Sequence, residues 1–205
     1  IVGTIGSRVG SSAVTTVRTT PEASDLQRLL AGMADAGVDF VPTEVSSHAL
    51  DLGRVNGMEF DVAAFTNLSQ DHLDFHGTME EYFDAKRSLF DPSRSRRAVV
   101  CLDDDWGRLL STATSLPVKN YVVGPRQVAP AAAEGRPDYS AWRVEPTPNG
   151  HLAISVTGPA GETLRLESPL PGLFNAANAL GAYVSLMAAG IDPDYARAGL
   201  LLARS

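Results

Sequence analysis

The chain has 205 residues, with 24 acidic against 17 basic side chains and a formal net charge of −7. Hydrophobic residues make up 44% and charged residues 20%, which is typical of one substantial globular domain and excludes a disordered tail, a fibre and a disulfide scaffold. The acidic balance argues against nucleic acid as a partner. Cys101 is the only cysteine, so it cannot form an internal disulfide, and it fits a reducing compartment such as the cytoplasm.

Neither end of the sequence carries a targeting or stop signal. The chain starts at Ile1 without a basic leader, and it ends in a helical pattern at 200–205 without a terminating Gly or Pro. Both ends are therefore expected to be cuts in a longer protein. The longest apolar stretch, about 176–191, is interrupted by Asn178 and Ser185, so it predicts a buried helix and no membrane span.

The first part of the chain, about 1–125, alternates strand-like and helix-like patterns. Strands are predicted at 1–6, 39–46, 61–68, 98–103 and 120–124, and helices at 21–36, 79–90 and 104–115. This alternation predicts βαβ units and a mostly parallel sheet flanked by helices. The first helix is predicted to begin with Thr20 as its N-cap and Pro21 at its first position.

The pattern changes after residue 125. A loop is predicted at 129–136, and short strands at 142–145, 151–157 and 163–166 predict a small antiparallel β insertion over about 138–170. Helices return over 174–205, one at 175–189 and a last one capped by Asp192. The fold class predicted is therefore α/β, a mostly parallel sheet flanked by helices with a small antiparallel β insertion.

Two titratable residues follow predicted strands. Glu44 lies near the end of the strand at 39–46, and His72 lies just past the strand at 61–68. If those strands are parallel, both side chains face the crevice where open α/β sheets bind ligands. An acid and an imidazole there could share a metal ion. The alternative is structural: Glu44 caps the following helix, and His72 packs under a loop.

Lys86 is an unusual residue, since the chain has only one other lysine, Lys119. Thr78 and Glu81 form a T-x-x-E capping box for its helix, and apolar residues from Met79 onward place Lys86 on the apolar face. An inward lysine can snorkel to the surface, pair with an acid, or lose its proton and react with carbon dioxide to give a carbamate. The residues alone leave these three outcomes open.

Five segments carry a resemblance to a known family. They are Thr19-Thr20-Pro21, Glu44 to Leu50, Thr66 to Asp74, Tyr82 to Phe90, and Leu170 to Leu180. They occur in order across nearly the whole chain, and the chain thereby resembles the central domain of the Mur ligases. The form Glu44-Val45-Ser46-Ser47-His48 is typical of the branch that adds a diamino acid.

The resemblance implies an ATP-dependent amide ligase of peptidoglycan synthesis. ATP would phosphorylate the D-glutamyl carboxylate of UDP-MurNAc-L-Ala-D-Glu, and the amine of meso-diaminopimelate or L-lysine would attack the acyl phosphate. The implied partners are this UDP-MurNAc-dipeptide and a diamino acid, with no nucleic acid and no membrane. The implied cofactor is Mg²⁺.

The resemblance also implies roles for particular residues. Glu44, His72 and Lys86 match the catalytic, magnesium-holding positions, with Lys86 N-carboxylated in the complete enzyme. The positions that match substrate contacts are Thr19, Thr20, Ser46 and Arg54 for the UDP-muramoyl substrate, and Asn175 and Asn178 for ATP. Asn175 has an alternative structural role as a helix N-cap, and Thr20 is compatible with capping as well.

The chain also departs from the family. It contains no Gly-Lys pair and hence no G-x-x-x-x-G-K-[ST] phosphate loop, and Cys101 replaces the asparagine of a usual N-x-D-D segment. Residues 1–205 are therefore expected to be a central domain cut at both ends and inactive alone. Two alternatives remain: another ligase of this superfamily, such as a folylpolyglutamate synthase, or a non-catalytic binding module. The Glu44 to His48 segment argues against the first, and the joint presence of Glu44, His72 and Lys86 against the second.

Overall fold

The computed structural model describes residues 1–10, 12–14, 16–123 and 137–203. Its strands are β1 (Ser7–Val9), β2 (Ser12–Val14), β3 (Ala63–Phe65), β4 (Ala98–Cys101), β5 (Val118–Val123), β6 (Tyr139–Pro146), β7 (Leu152–Thr157) and β8 (Thr163–Ser168). Its helices are α1 (Ala23–Asp35), α2 (Ser47–Asp51), α3 (Leu73–His76), α4 (Met79–Arg87), α5 (Asp105–Ala113), α6 (Leu173–Ala188) and α7 (Pro193–Leu200), with a 3₁₀ turn at Ser88–Phe90. The loop predicted at 129–136 lies outside the described residues.

The chain divides into two compact units. Unit 1 comprises Ile1–Met58 and Gln70–Leu89, and it carries the hairpin of β1 and β2 and the helices α1 to α4. Unit 2 comprises Glu59–Ser69 and Phe90–Ser205, and it carries a six-stranded sheet and the helices α5 to α7.

Unit 1 begins with short backbone pairings. The strands predicted at 1–6 and 39–46 are wrong, because these segments meet only in one parallel bridge between Val2 and Thr43. Pro42 precedes that bridge and has no N–H with which to extend a ladder. The antiparallel hairpin of β1 and β2 follows the first segment, and the sequence analysis did not predict it.

Helix α1 lies where it was predicted but begins later. Its N-cap is Glu22, which makes no side-chain capping bond, so the assignment of Thr20 as N-cap is wrong. The Thr20 hydroxyl has other partners: it donates to the Glu44 carbonyl at 2.8 Å and accepts from Ser46 N at 3.1 Å. Thr20 therefore joins the segment before α1 to the segment before α2.

The sheet of unit 2 has the order β3-β4-β5-β6-β7-β8. The first four of these strands pair in parallel, and β7 and β8 extend the sheet in antiparallel fashion. The predicted α/β class with a mostly parallel sheet is confirmed. The predicted antiparallel strands also form, and they continue the same sheet because β6 pairs in parallel with β5. Ala98, Val99 and Val100 of β4 are fully buried, as expected for a central parallel strand.

The segment that follows β4 is fixed by its two carboxylates. Asp104 is the N-cap of α5 and accepts from Gly107 N at 2.6 Å and from Leu68 N at 2.9 Å. Asp103 accepts from Val123 N at 3.1 Å, and its burial raises its pKa. Burial also raises the pKa of the Cys101 thiol to about 12, so Cys101 is a packed, unreactive side chain in this segment.

Helices α6 and α7 cover one face of this sheet. Helix α6 begins after Gly172, so the alternative role of Asn175 as its N-cap is wrong. Asp192 caps α7 as predicted, accepting from Asp194 N at 2.8 Å. The core between these helices and the sheet includes Tyr121, Ile154, Val156, Leu166, Leu180 and Val184. Among the described helices none is both long and apolar enough to cross a membrane.

Candidate functional site

Glu44 is held at the parallel bridge of unit 1. Its backbone N–H donates to the Val2 carbonyl at 2.8 Å, and its Oε2 accepts from the Thr4 backbone N–H at 2.8 Å. A Cβ at Gly3 would lie 3.0 Å from that carboxylate oxygen, so the absence of a side chain there leaves the carboxylate its place. Glu44 is exposed, and Thr4 fixes its direction. It does not cap α2, since Ser46 does so.

His72 has a left-handed backbone conformation, which is unusual for a residue other than glycine. Its φ of 53° and ψ of 24° place it in the left-handed region, where it is the only non-glycine residue among those described. Such a conformation costs about 1–3 kcal/mol and is typical of functional sites. Its backbone N–H donates to Asp71 Oδ1 at 2.8 Å, and the ring Nδ1 lies 3.6 Å from the same oxygen. Asp71 therefore holds the backbone of His72 through a hydrogen bond, and its carboxylate lies near the ring.

Lys86 lies on α4, whose start follows the sequence prediction. Thr78 accepts from Glu81 N at 3.1 Å, and Glu81 accepts from Thr78 N at 3.3 Å, which completes the capping box. Lys86 is half-buried, and its Nζ lies 5.2 Å from the centroid of the Tyr82 ring. The predicted inward placement of this lysine is thus confirmed.

The electrostatics of Lys86 combine burial with two acids. Burial lowers the pKa of the amine, while the negative charges of Glu44 and Asp71 raise it, and the net direction is downward. A lysine with a lowered pKa is neutral more often than an exposed one, and the neutral amine is the form that reacts with carbon dioxide. Glu44 and Asp71 thus act electrostatically on the Lys86 amine, and the ring of His72 lies 5.9 Å, centroid to centroid, from that of Tyr82.

Aromatic and imidazole rings pack around these residues. The His48 ring lies 4.9 Å from that of His72, 5.6 Å from that of His76 and 4.1 Å from that of Phe75. His76 is buried, and burial together with His48 lowers its pKa, so it is held as a neutral ring. No role is predicted for His48 or His76 from the sequence. Among the described residues no three His, Cys, Asp or Glu side chains converge on a metal position.

The four residues predicted to contact the UDP-muramoyl substrate lie in unit 1. The Thr19 hydroxyl is 2.9 Å from that of Thr4. Thr20 is fully buried, and its hydroxyl is engaged with backbone groups on both sides. Ser46 caps α2 by accepting from Ala49 N at 3.2 Å, so its proton can still be donated to a ligand.

Arg54 is the fourth of these residues, and it is a buried cation. Its side chain is 8% exposed, and it pairs with Glu22 at 3.2 Å and donates to the Thr20 carbonyl at 3.4 Å. Its Nε is buried without a hydrogen-bond partner among the described residues. A buried N–H of this kind is costly unless something accepts from it, which favours an anionic or carbonyl ligand here.

A cavity of about 380 Å³ also lies in unit 1, between β2 and the start of α1. Its charged lining residues are Arg18, Glu22, Asp25 and Arg28. Glu22 connects this cavity to Arg54 through their ion pair. Glu44, His72 and Lys86 do not line it.

The two asparagines that match ATP contacts lie in unit 2, near the start of α6. Asn175 Nδ2 donates to the Pro171 carbonyl at 2.7 Å, and Asn178 Nδ2 lies 3.5 Å from Asn175 Oδ1. Asn178 is exposed, one turn after Phe174, which is 88% exposed. This end of α6 presents amide and aromatic groups to solvent.

Asp71, Tyr82 and Ser47 are residues of this region that the sequence analysis did not single out. Asp71 stands beside His72 in the segment Thr66 to Asp74, and that adjacency is the signal that could have drawn attention to it. Tyr82 was assigned only to the apolar face of α4. Its contacts with Lys86 and with the histidines depend on how α2, α3 and α4 pack, which helical spacing does not specify.

Comparison with known families identifies the class of protein. Residues 1–186, which include parts of both units, match the Mur ligase middle domain. The chain therefore belongs to the Mur ligase family, and the resemblance inferred from the five sequence segments is confirmed.

Curated relatives narrow the similarity to one branch. The chain is 47% identical over 202 residues to the UDP-N-acetylmuramoyl-L-alanyl-D-glutamate–2,6-diaminopimelate ligase of Streptomyces coelicolor, covering 98% of the chain and 38% of that protein. It is 42% identical over 202 residues to the UDP-N-acetylmuramyl-tripeptide synthetase of Leifsonia xyli, covering 98% of the chain and 37% of that protein. The chain thus spans less than two fifths of the length of these relatives.

Solved structures agree in fold. A structure of a UDP-N-acetylmuramoyl-L-alanyl-D-glutamate–2,6-diaminopimelate ligase superposes with a TM-score of 0.77 and 28% identity, covering 95% of this chain and 39% of that one. MurF from Acinetobacter baumannii superposes with a TM-score of 0.56 and 22% identity over 70% of this chain and 29% of that one, which shows a shared fold alone.

Proposed function

We propose that the chain is the central domain of an ATP-dependent ligase that joins a diamino acid to UDP-MurNAc-L-Ala-D-Glu. The relative from Streptomyces coelicolor carries 2,6-diaminopimelate in its name, and we propose the same diamino acid here. The complete enzyme is taken to combine this chain with the remaining length of those relatives, and to act in the cytoplasm. Cys101, free and buried, fits a reducing compartment.

The observation that carries the proposal is the grouping of Glu44, His72 and Lys86 in unit 1. Glu44 is oriented by Thr4, and His72 is held in a strained backbone by Asp71. A strained histidine and a half-buried lysine beside two acids are costly for a binding module that has no chemistry to perform. These features support a working ligase site over a retired fold.

Two of the three proposed ligands fit Mg²⁺ when Lys86 is N-carboxylated, because the Glu44 carboxylate and the Lys86 carbamate would both be oxygen donors. Glu44 supplies a carboxylate, His72 an imidazole, and the neutral Lys86 amine adds to carbon dioxide, losing a proton and becoming an anionic carbamate. This replaces a neutral amine by an anion that a metal ion can bind. When bound, Mg²⁺ would neutralise charge on the phosphates of ATP.

The proposed reaction runs through an acyl phosphate. The D-glutamyl carboxylate oxygen attacks the γ-phosphorus of ATP, the bond to the β-phosphate oxygen breaks, and ADP leaves. The amine of the diamino acid then attacks the acyl carbon, loses a proton and displaces inorganic phosphate. Arg54 and Ser46 are proposed to hold the UDP-muramoyl substrate during both steps, with Thr19 and Thr20 shaping that side of the site. Asn175 and Asn178 are proposed to contact ATP.

Substitution of the two unmodified ligands tests this proposal. In the complete enzyme, Glu44→Ala and His72→Ala are expected to lower kcat about 100-fold or more, because charge on the transferred phosphoryl group is no longer neutralised. Binding of UDP-MurNAc-L-Ala-D-Glu, measured by calorimetry, should stay close to wild type. Matched controls are Glu80→Ala, an exposed acid of α4, and His151→Ala, a histidine of unit 2. Unchanged kcat with weakened substrate binding would contradict the assignment.

A further inference from the structure

The ring of Tyr82 is the common neighbour of two proposed site residues. It is buried at 7% exposure, with the Lys86 Nζ 5.2 Å from its centroid and the centroid of the His72 ring 5.9 Å from it in an edge-to-face arrangement. The face of an aromatic ring offers a flat surface against which the methylene groups of a lysine pack. Tyr82 therefore contacts both the proposed carboxylation site and a proposed metal ligand.

Tyr82 is itself fixed by a second layer. The His76 ring stacks on it at 5.0 Å with an interplanar angle of 16°. His76 Nε2 and Ser47 Oγ are 2.9 Å apart, and both residues are buried, at 8% and 2% exposure. A buried hydrogen bond of this kind fixes the orientation of an imidazole ring.

The chain of contacts links three parts of unit 1. Ser47 begins α2 immediately after Ser46, His76 ends α3, and Tyr82 and Lys86 lie on α4. The contacts Ser47–His76–Tyr82–Lys86 thus run from the start of α2, through the end of α3, to the lysine. Nothing in the proposed reaction requires His76 or Ser47 to touch a substrate.

We propose that Tyr82, held by His76 and Ser47, is a positioning residue that fixes where the Lys86 amine lies relative to His72. The proposal rests on the proposed role of Lys86. A lysine side chain has four rotatable bonds, and a site that needs its nitrogen at one position must restrict them. The aromatic face supplies that restriction, because it offers a flat surface against which the methylene groups of Lys86 pack.

The contact can be measured directly because the sequence contains only two lysines, Lys86 and Lys119. In the 205-residue chain, labelling with carbon-13 lysine gives one set of side-chain signals for Lys86 and one for Lys119. The ε-methylene protons of Lys86 are expected to be shifted upfield by the Tyr82 ring current, while those of Lys119, whose side chain is 45% exposed, serve as the internal reference. Tyr82→Phe should retain the shift, and Tyr82→Leu should move the Lys86 signal to the Lys119 position.

The consequence is tested in the complete enzyme with carbon-13 carbon dioxide. Tyr82→Phe should keep the carbamate signal at Lys86 and a near-wild-type kcat. Tyr82→Leu should lose most of the carbamate signal and lower kcat about tenfold, because the lysine side chain is no longer held in one position, while the KM for the UDP-muramoyl substrate stays unchanged. Circular dichroism establishes that each variant is folded.

A smaller substitution provides the test if the Tyr82→Leu variant does not fold. Ser47→Ala removes only the hydroxyl that holds His76, and it should weaken the upfield shift of Lys86 and lower kcat severalfold. An unchanged Lys86 shift and unchanged kcat in Tyr82→Leu, or in Ser47→Ala if the first does not fold, would overturn the positioning role. The failure of the proposed function itself looks different: wild-type enzyme would show no carbamate, and Lys86→Ala would remain active.

Discussion

At the scale of single residues, the strained backbone of His72 has a consequence for stability. An L residue at φ 53° is disfavoured, whereas glycine adopts this region freely. We therefore expect His72→Gly to be more stable than His72→Ala by about 1 kcal/mol, the reverse of the usual order in a helix. Urea unfolding of the chain followed by circular dichroism measures the difference.

The control for this comparison is an ordinary helical position. Gln27 is exposed in the middle of α1, where Gln27→Ala should be more stable than Gln27→Gly by about 1 kcal/mol. If His72→Ala were more stable than His72→Gly, as Gln27→Ala is expected to be relative to Gln27→Gly, the left-handed conformation of His72 would be refuted.

Lys86 is expected to be indispensable for activity. In the complete enzyme Lys86→Ala removes the carbamate, and kcat should fall about 100-fold or more, as when a group that stabilises transition-state charge is lost. Short carboxylates such as acetate should restore part of the rate by supplying the missing anion. Lys119→Ala, the other lysine, is the control and should keep full activity. A fully active Lys86→Ala enzyme would eliminate the proposed role.

At the scale of elements, α5 is packed unusually close to the end of β4. A Cβ added at Gly107 would lie 1.9 Å from the Cys101 carbonyl oxygen. Backbone atoms would have to move to remove this overlap. Gly107→Ala is therefore expected to destabilise unit 2 by about 2 kcal/mol or more, although alanine is the better helix former. Thermal or urea unfolding followed by tryptophan fluorescence reports this change, because both tryptophans, Trp106 and Trp142, lie in unit 2.

Gly199 provides the matched control in the same unit. It lies in α7, and a Cβ there would meet no atom within 4 Å. Gly199→Ala should stabilise unit 2 by about 0.5–1 kcal/mol through helix propensity alone. Equal effects of the two substitutions would show that the close approach at Gly107 does not constrain α5.

The elements that the sequence predicted well are those with strong local signals. The capping box of Thr78 and Glu81 placed the start of α4, and Asp192 placed that of α7. The apolar β4 was also recognised from its own residues. Where local signals conflict with partners elsewhere in the chain, prediction failed: Thr20 looked like an N-cap, but its hydroxyl bonds to the segment around Glu44.

The candidate site was predicted only in part for the same reason. Helical spacing showed that Lys86 faces inward, and strand ends drew attention to Glu44 and His72. The roles of Asp71 and Tyr82 could not be predicted, because they depend on the packing of α2, α3 and α4 and on the left-handed turn at His72. A backbone conformation disfavoured for histidine has no signal in residue type.

At the scale of the whole molecule, the sequence lacks the motif that grips nucleotide phosphates. No Gly-Lys pair occurs in the 205 residues, so the backbone amides and lysine of a phosphate loop are missing from this chain. The purified 205-residue chain is therefore expected not to hydrolyse ATP or form the amide. Robust ADP release that depends on the UDP-muramoyl substrate would contradict this expectation.

The complete enzyme is proposed to activate a carboxylate as an acyl phosphate and then to form an amide. The most direct measurement uses UDP-MurNAc-L-Ala-D-Glu whose reacting carboxylate carries oxygen-18, together with ATP, Mg²⁺ and 2,6-diaminopimelate. An acyl phosphate passes one carboxylate oxygen to phosphorus, so the released inorganic phosphate should contain one oxygen-18 atom for each amide formed. Mass spectrometry of the phosphate and the product measures both. Amide formation with unlabelled phosphate, or no amide at all, would contradict the account.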